Sequence, residues 1–155
     1  LHPSYQWFHL VDSILSYSQK GTYRLPMEAF VNRWLYRGLG IFYIFAGANH
    51  FINPEFYLPL IPNYLPAHLI LNVLVGLVEL ALGILVFLPR YTQTASWGII
   101  LLLIVLIPSH VYFIQIGSCV KDGLCISEWF AWVRLIMVHP LLIVWAWWIG
   151  NRTLS

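Results

Sequence analysis

Four stretches of the chain are almost continuously apolar: residues 31–51, 67–88, 92–116 and 128–149. Each is long enough to cross the roughly 30 Å hydrocarbon core of a bilayer as a helix. The run Ile99-Ile100-Leu101-Leu102-Leu103-Ile104-Val105-Leu106-Ile107 shows none of the alternation that a strand of a transmembrane barrel requires. Proline and glycine fall where helices should stop: Asn53-Pro54 with Pro59, Pro62 and Pro66, then Pro89-Arg90, then residues 117–123. The pattern predicts an all-α fold, an integral membrane four-helix bundle over residues 29–155, with a tight hairpin between the second and third spans. Ahead of it, Phe8, Val11, Ile14 and Leu15 recur at helical spacing, with Asp12, Ser13 and Ser16 on other faces. Residues 1–28 therefore read as an arm carrying an N-terminal amphipathic helix that lies at the membrane interface or docks on a partner. A signal peptide's apolar run is missing from residues 1–27, so either processing has occurred or the first span serves as its own insertion signal.

Composition sharpens this picture. Only 9% of the 155 residues are charged, against roughly 25% in soluble domains, which excludes a soluble Rossmann enzyme. Eight Lys/Arg against six Asp/Glu are too few for a nucleic-acid surface, and two cysteines are too few for a disulfide mini-protein. The cations are unevenly placed: Lys20, Arg24, Arg33 and Arg37 precede or open the first span, Arg90 lies in the second connection and Arg152 follows the fourth span, whereas the other two connections hold only Lys121. The positive-inside rule then puts both termini in the cytoplasm of a multi-pass protein, expected in a bacterial inner membrane. Trp34, Trp97, Trp145, Trp147 and Trp148 fall at the inner interface, and Trp129 and Trp132 at the outer one.

An ionisable side chain costs roughly 3 kcal/mol or more at the centre of a spanning helix, so each one should face the interior and have a partner. Counting 1.5 Å per residue from the outer ends, His50, Asn72, His110 and Arg134 fall roughly 5–9 Å deep, and Glu79 and His139 roughly 16–18 Å. Asn72, Gly76, Glu79 and Gly83 share one face of the second span, and Tyr43, Gly47 and His50 form a similar stripe on the first. Matched depth pairs Glu79 with His139. Arg134 is expected to meet Glu55, Asp122, Glu128 or an anion arriving from outside. Asn49, Asn72 and Gln115 fit interhelical hydrogen bonding, His50 and His110 fit that role and a functional one equally, and His68 reads as interfacial. His50 and His110 also admit a haem b reading as axial ligands, against which stand the absence of a second pair and of an attachment motif. No compact ligand spacing points to a metal. Cys119 and Cys125 flank Lys121-Asp122-Gly123 in the outer connection, which predicts a structural disulfide ahead of a redox-active pair.

The stretches Phe45-Ala46-Gly47-Ala48-Asn49-His50-Phe51-Ile52-Asn53-Pro54-Glu55-Phe56-Tyr57, Pro62-Asn63-Tyr64-Leu65-Pro66 and Gly76-Leu77-Val78-Glu79-Leu80-Ala81-Leu82-Gly83 together resemble the DoxX-like (DoxX/DoxD) integral membrane family. The resemblance continues through Leu88-Pro89-Arg90, Ile107-Pro108-Ser109-His110-Val111-Tyr112 and the stretch from Arg134-Leu135 to Trp145-Ala146. It implies a four-helix membrane protein whose relatives include subunits associated with thiosulfate-to-quinone oxidation and accessory proteins for maturing redox enzymes. By matching position it points to His50, Glu79 and Arg134. Two departures add titratable groups: Pro108-Ser109-His110 stands where the family pattern reads Pro-Ala-Asn, and His139 where it has Gln. Aligning His139 in that way leaves Arg134 one residue out of step.

Two functions follow as expectations. The first is a small accessory or scaffold subunit of a larger membrane assembly, bound to lipid and to other membrane subunits or copies of itself. It is preferred because no catalytic constellation is visible. The alternative is a subunit that binds a quinone or another apolar ligand and uses Glu79, His139, His110, His50, Arg134 and Asn72 to hold it or move protons.

Overall fold

A computed structural model describes residues 26–120 and 125–152, with side chains from residue 32 onward. The expected arm over residues 1–28 and its amphipathic helix lie outside the described residues, apart from the backbone at 26–28. The chain divides into two compact units, residues 1–33 and 34–155, and the architecture below is that of the second.

The described elements are helical throughout, save one isolated bridge between Cys119 and Cys125. Helix α1 is Pro26–Ile52, α2 is Pro54–Tyr57 followed by a 3-10 turn at Leu58–Leu60, α3 is His68–Val86, and α4 is Thr92–Gln115. Helix α5, Glu128–Val133, runs through a π-helical segment, Arg134–Val138, into α6, His139–Arg152. Three helices are long and apolar enough to cross a membrane: α3, α4 and the continuous Glu128–Arg152 helix. Helix α1 begins five residues before the predicted span of 31–51 and lacks that apolarity, since Arg33, Arg37, Asn49 and His50 interrupt it.

Local chemistry sets the boundaries. Pro54 opens α2 at a position where its missing N–H costs nothing. Between α3 and α4, the Thr92 hydroxyl lies 3.1 Å from the carbonyls of Val86 and Leu88; the first is an acceptor at the end of α3, and the second also accepts from the Tyr91 and Thr92 nitrogens. This contact holds the predicted tight hairpin closed.

Helices α1 and α3 approach closely through glycine. A Cβ on Gly47 would stand 2.7 Å from the Gly76 carbonyl oxygen and from the Leu80 nitrogen, and one on Gly83 would stand 2.8 Å from the Ile44 nitrogen. Small residues are the usual means of backbone approach between membrane helices. On the other side, α4 packs most extensively against α6, around Ala95, Ile99, Ala146 and Ile149. At the end carrying the α2 turn, Leu60, Phe113 and Ala131 form a separate small core. Leu69, Leu74, Leu77, Leu101, Leu141 and Val144 are exposed on outward faces, as side chains that meet lipid would be.

Candidate functional site

Above the glycine contact, between α1, α3, α4 and the π segment, lies a cavity of about 400 Å³. His50, Asn72, Glu79, His110, Arg134 and His139 all line it. The six residues singled out from sequence are therefore neighbours in space, drawn from α1, α3, α4 and the continuous Glu128–Arg152 helix.

Two groups of polar side chains line this cavity. In the first, the Asn72 amide nitrogen donates to the His50 carbonyl at 2.9 Å, which turns the Asn72 amide oxygen toward His50 Nδ1, 2.7 Å away. An amide oxygen only accepts, so Nδ1 carries the proton and donates. His50 Nε2 then faces Glu79 Oε2 at 3.4 Å. A lone pair opposite a carboxylate oxygen is repulsive, so the two groups share a proton, either as imidazolium with carboxylate or as imidazole with carboxylic acid. The His50 ring stacks on Tyr57 with centroids 3.7 Å apart, and Asn49 donates to the Tyr57 oxygen at 2.8 Å. Burial pushes the Tyr57 phenol above its ordinary range, which keeps it a protonated donor.

The second group is built on the π segment. An Arg134 Nη2 lies 2.8 Å from His110 Nδ1, and because a guanidinium only donates, His110 accepts there and is neutral, with its proton on Nε2. His139 Nε2 donates to the Leu103 carbonyl at 2.7 Å, and the two histidine rings meet edge to face at 4.8 Å. Residues five apart are separated by about 140° around an α-helix, but a π turn brings i and i+5 onto one face. That is how Arg134 and His139 both reach the cavity.

The structure corrects several expected pairings. Glu79 meets His50, and His139 instead binds a backbone carbonyl. Arg134 meets His110 rather than Glu55 or Glu128, and Asp122 lies outside the described residues. Both nitrogens of His50 face protein groups, Nδ1 the Asn72 amide oxygen and Nε2 the Glu79 carboxyl. Among the described residues there is no group of three or more His, Cys, Asp or Glu that would hold a metal ion. Tyr57 is the neighbour that the sequence pattern missed: it reaches His50 only because the turn at Asn53-Pro54 folds α2 back over the end of α1. His68 donates to the Pro62 carbonyl at 3.2 Å, away from the cavity.

Two buried polar atoms of the lining, Tyr43 OH and Arg134 Nε, have no hydrogen-bond partner among the described residues, and Glu79 Oε2 has only its 3.4 Å contact with His50. In a protein interior such atoms are costly unless something else satisfies them.

Cys119 and Cys125 form a disulfide beside an antiparallel bridge in which the Ile126 nitrogen donates to the Ser118 carbonyl at 3.0 Å. Both cysteines are exposed, and neither lines the cavity. A clip of this loop length contributes roughly 2 kcal/mol. The Cys119→Ser, Cys125→Ser variant is expected to lose about that much stability in thermal unfolding; an unchanged unfolding temperature would contradict a structural role.

This geometry defines a class: all-helical proteins with membrane-length apolar helices around an interior cavity lined by a few convergent polar side chains. Within that class, the chain belongs to the family described as a domain of unknown function (DUF8561), which matches residues 39–150 and so takes in every residue of the site. No curated protein and no solved structure matches the chain.

Proposed function

We propose that this protein is a four-helix transmembrane bundle, completed by α1, that binds a small and mainly apolar molecule with an oxygen-bearing head group between its helices. The observation that carries the reading is the convergence of six polar side chains on a cavity in which two buried polar atoms, Tyr43 OH and Arg134 Nε, lack partners. Polar groups that serve only as glue satisfy one another, and worth only about 0.6 kcal/mol each they give no reason to keep a cavity open. Cavities of roughly 300–1,000 Å³ with apolar walls and a few placed polar groups are the usual form of a small-molecule site. In this reading Arg134 Nε and the Tyr43 hydroxyl donate to the ligand's oxygens, and the proton shared by His50 and Glu79 is available to the same head group. A quinone's carbonyls fit these donors, as does a carboxyl group. The DoxX-like motifs contribute His50 and Glu79 from separate spans, which supports treating their contact as the functional centre. An accessory role within a larger assembly is compatible with this, provided the ligand site is what the subunit contributes.

The test is to purify the protein from its native membrane, extract it and identify what is bound by mass spectrometry. Leu106 lines the cavity, and Leu106→Trp is expected to reduce retention about tenfold, ~1.4 kcal/mol. Unchanged retention in a folded Leu106→Trp protein would refute the cavity as the site.

We further propose that both termini and Arg90 are cytoplasmic in a bacterial inner membrane, on the asymmetry of the cations. In whole cells a membrane-impermeant maleimide is expected to label Cys119 in a Cys125→Ser variant. Arg90→Cys in a background lacking both cysteines should react only after lysis, and the opposite pattern would reverse the orientation.

A further inference from the structure

We infer that the head group taken by this cavity is a monoanion, a carboxylate on a single apolar chain or ring; the inference rests on the ligand-site reading above. It follows from a count of charge. His50 and Glu79 share one proton between them, so the pair is neutral in either form. His110 is neutral because Arg134 donates to it, and no other lining group supplies a negative charge. Arg134 carries +1, and among the described residues no carboxylate lies within 4.0 Å of it. A charge held among apolar walls without a counter-charge is costly. Its Nε is buried with no acceptor, and a carboxylate is the small planar group that a guanidinium edge recognises best.

The remainder of the lining describes the rest of the molecule. Phe42 on α1, Val105 on α4 and Val138 on the π segment all line the cavity, yet are 45%, 62% and 44% exposed. The cavity thus reaches the lipid-facing surface at three apolar side chains. A ligand drawn from the bilayer seats its head on Arg134 and continues as an apolar chain toward lipid. A phospholipid head, with its glycerol arms, would need more polar partners than these walls offer.

The experiment uses the full chain in phosphatidylcholine nanodiscs, with tritiated palmitate and tritiated hexadecanol as probes at a pH where the acid is ionised. A hydrogen bond to a charged group predicts that palmitate binds about tenfold to 100-fold more tightly than the alcohol. Arg134→Gln should abolish that preference by weakening palmitate alone, and Arg134→Lys, which keeps the charge, should retain part of it. Equal binding of acid and alcohol to the wild-type protein would overturn the charge inference and leave the cavity reading standing. Binding of neither probe, or palmitate binding that Leu106→Trp leaves unchanged, would overturn both. Displacement of palmitate by phosphatidylglycerol, dependent on Arg134, would assign the site to a phospholipid head group and overturn the single-chain ligand.

Discussion

Gly47→Ala and Gly83→Ala are each expected to cost about 3 kcal/mol, the upper end for overpacking, and together to leave little folded protein. Both added methyls point at backbone: the Gly76 carbonyl and Leu80 nitrogen for Gly47, the Ile44 nitrogen and Gly40 carbonyl for Gly83, all at 2.7–2.9 Å. Backbone cannot rotate aside as a side chain can, so α1 and α3 must separate. Gly98→Ala is the control, because its methyl would meet only a Leu82 Cδ2 at 2.6 Å, the end of a flexible side chain. It should cost less than about 1.5 kcal/mol. Thermal unfolding in detergent compares the three, and equal effects at Gly47 and Gly98 would refute the close-approach argument. The consequence extends to the site: Gly47 precedes His50 by one helical turn and Gly76 lies between Asn72 and Glu79, so separating the helices lengthens the contacts from His50 to both. Ligand retention should fall before the fold is lost.

Which residues face inward was legible in the sequence, because helical periodicity reports a face directly. Asn72 and Glu79, on the predicted stripe, are only 1% and 7% exposed. Which residues touch was less legible. Counting depth from helix ends separated His50, roughly 5–9 Å deep, from Glu79 at roughly 16–18 Å, yet they stand 3.4 Å apart. Side chains on a helix lean toward its own N-terminus. Helix α1 runs toward the α2 turn and α3 runs away from it, so His50 leans back along the bundle and Glu79 leans forward to meet it. A count of Cα positions along straight rods omits both displacements. The π segment was hidden for a different reason: after Arg134, the run Leu135-Ile136-Met137-Val138 is apolar throughout and reads like any spanning helix, so nothing in it marks a change of helical pitch.

His50→Ala is expected to destabilise the protein by about 3–5 kcal/mol, the cost of leaving a buried charge or its hydrogen-bond partners unanswered. The imidazole answers two groups at once, the Asn72 amide oxygen at 2.7 Å and the Glu79 carboxyl at 3.4 Å, and alanine answers neither. Glu79→Gln should behave otherwise. With the His50 proton on Nδ1, the Nε2 lone pair accepts from the new amide, so shape and hydrogen bonding persist while the shared proton is lost. That variant should unfold within about 1 kcal/mol of the wild-type protein, but fail wherever the proton matters, in ligand retention or in any activity of the native assembly. The double variant distinguishes the shared proton from simple packing. Once Glu79 is glutamine, removing His50 strands no carboxyl group, so the double variant should recover about 2 kcal/mol relative to the sum of the single effects. Additive effects, with Glu79→Gln indistinguishable from wild type in retention, would reduce the pair to interhelical glue. A positive coupling energy together with lost retention would identify the shared proton as part of how the ligand is held.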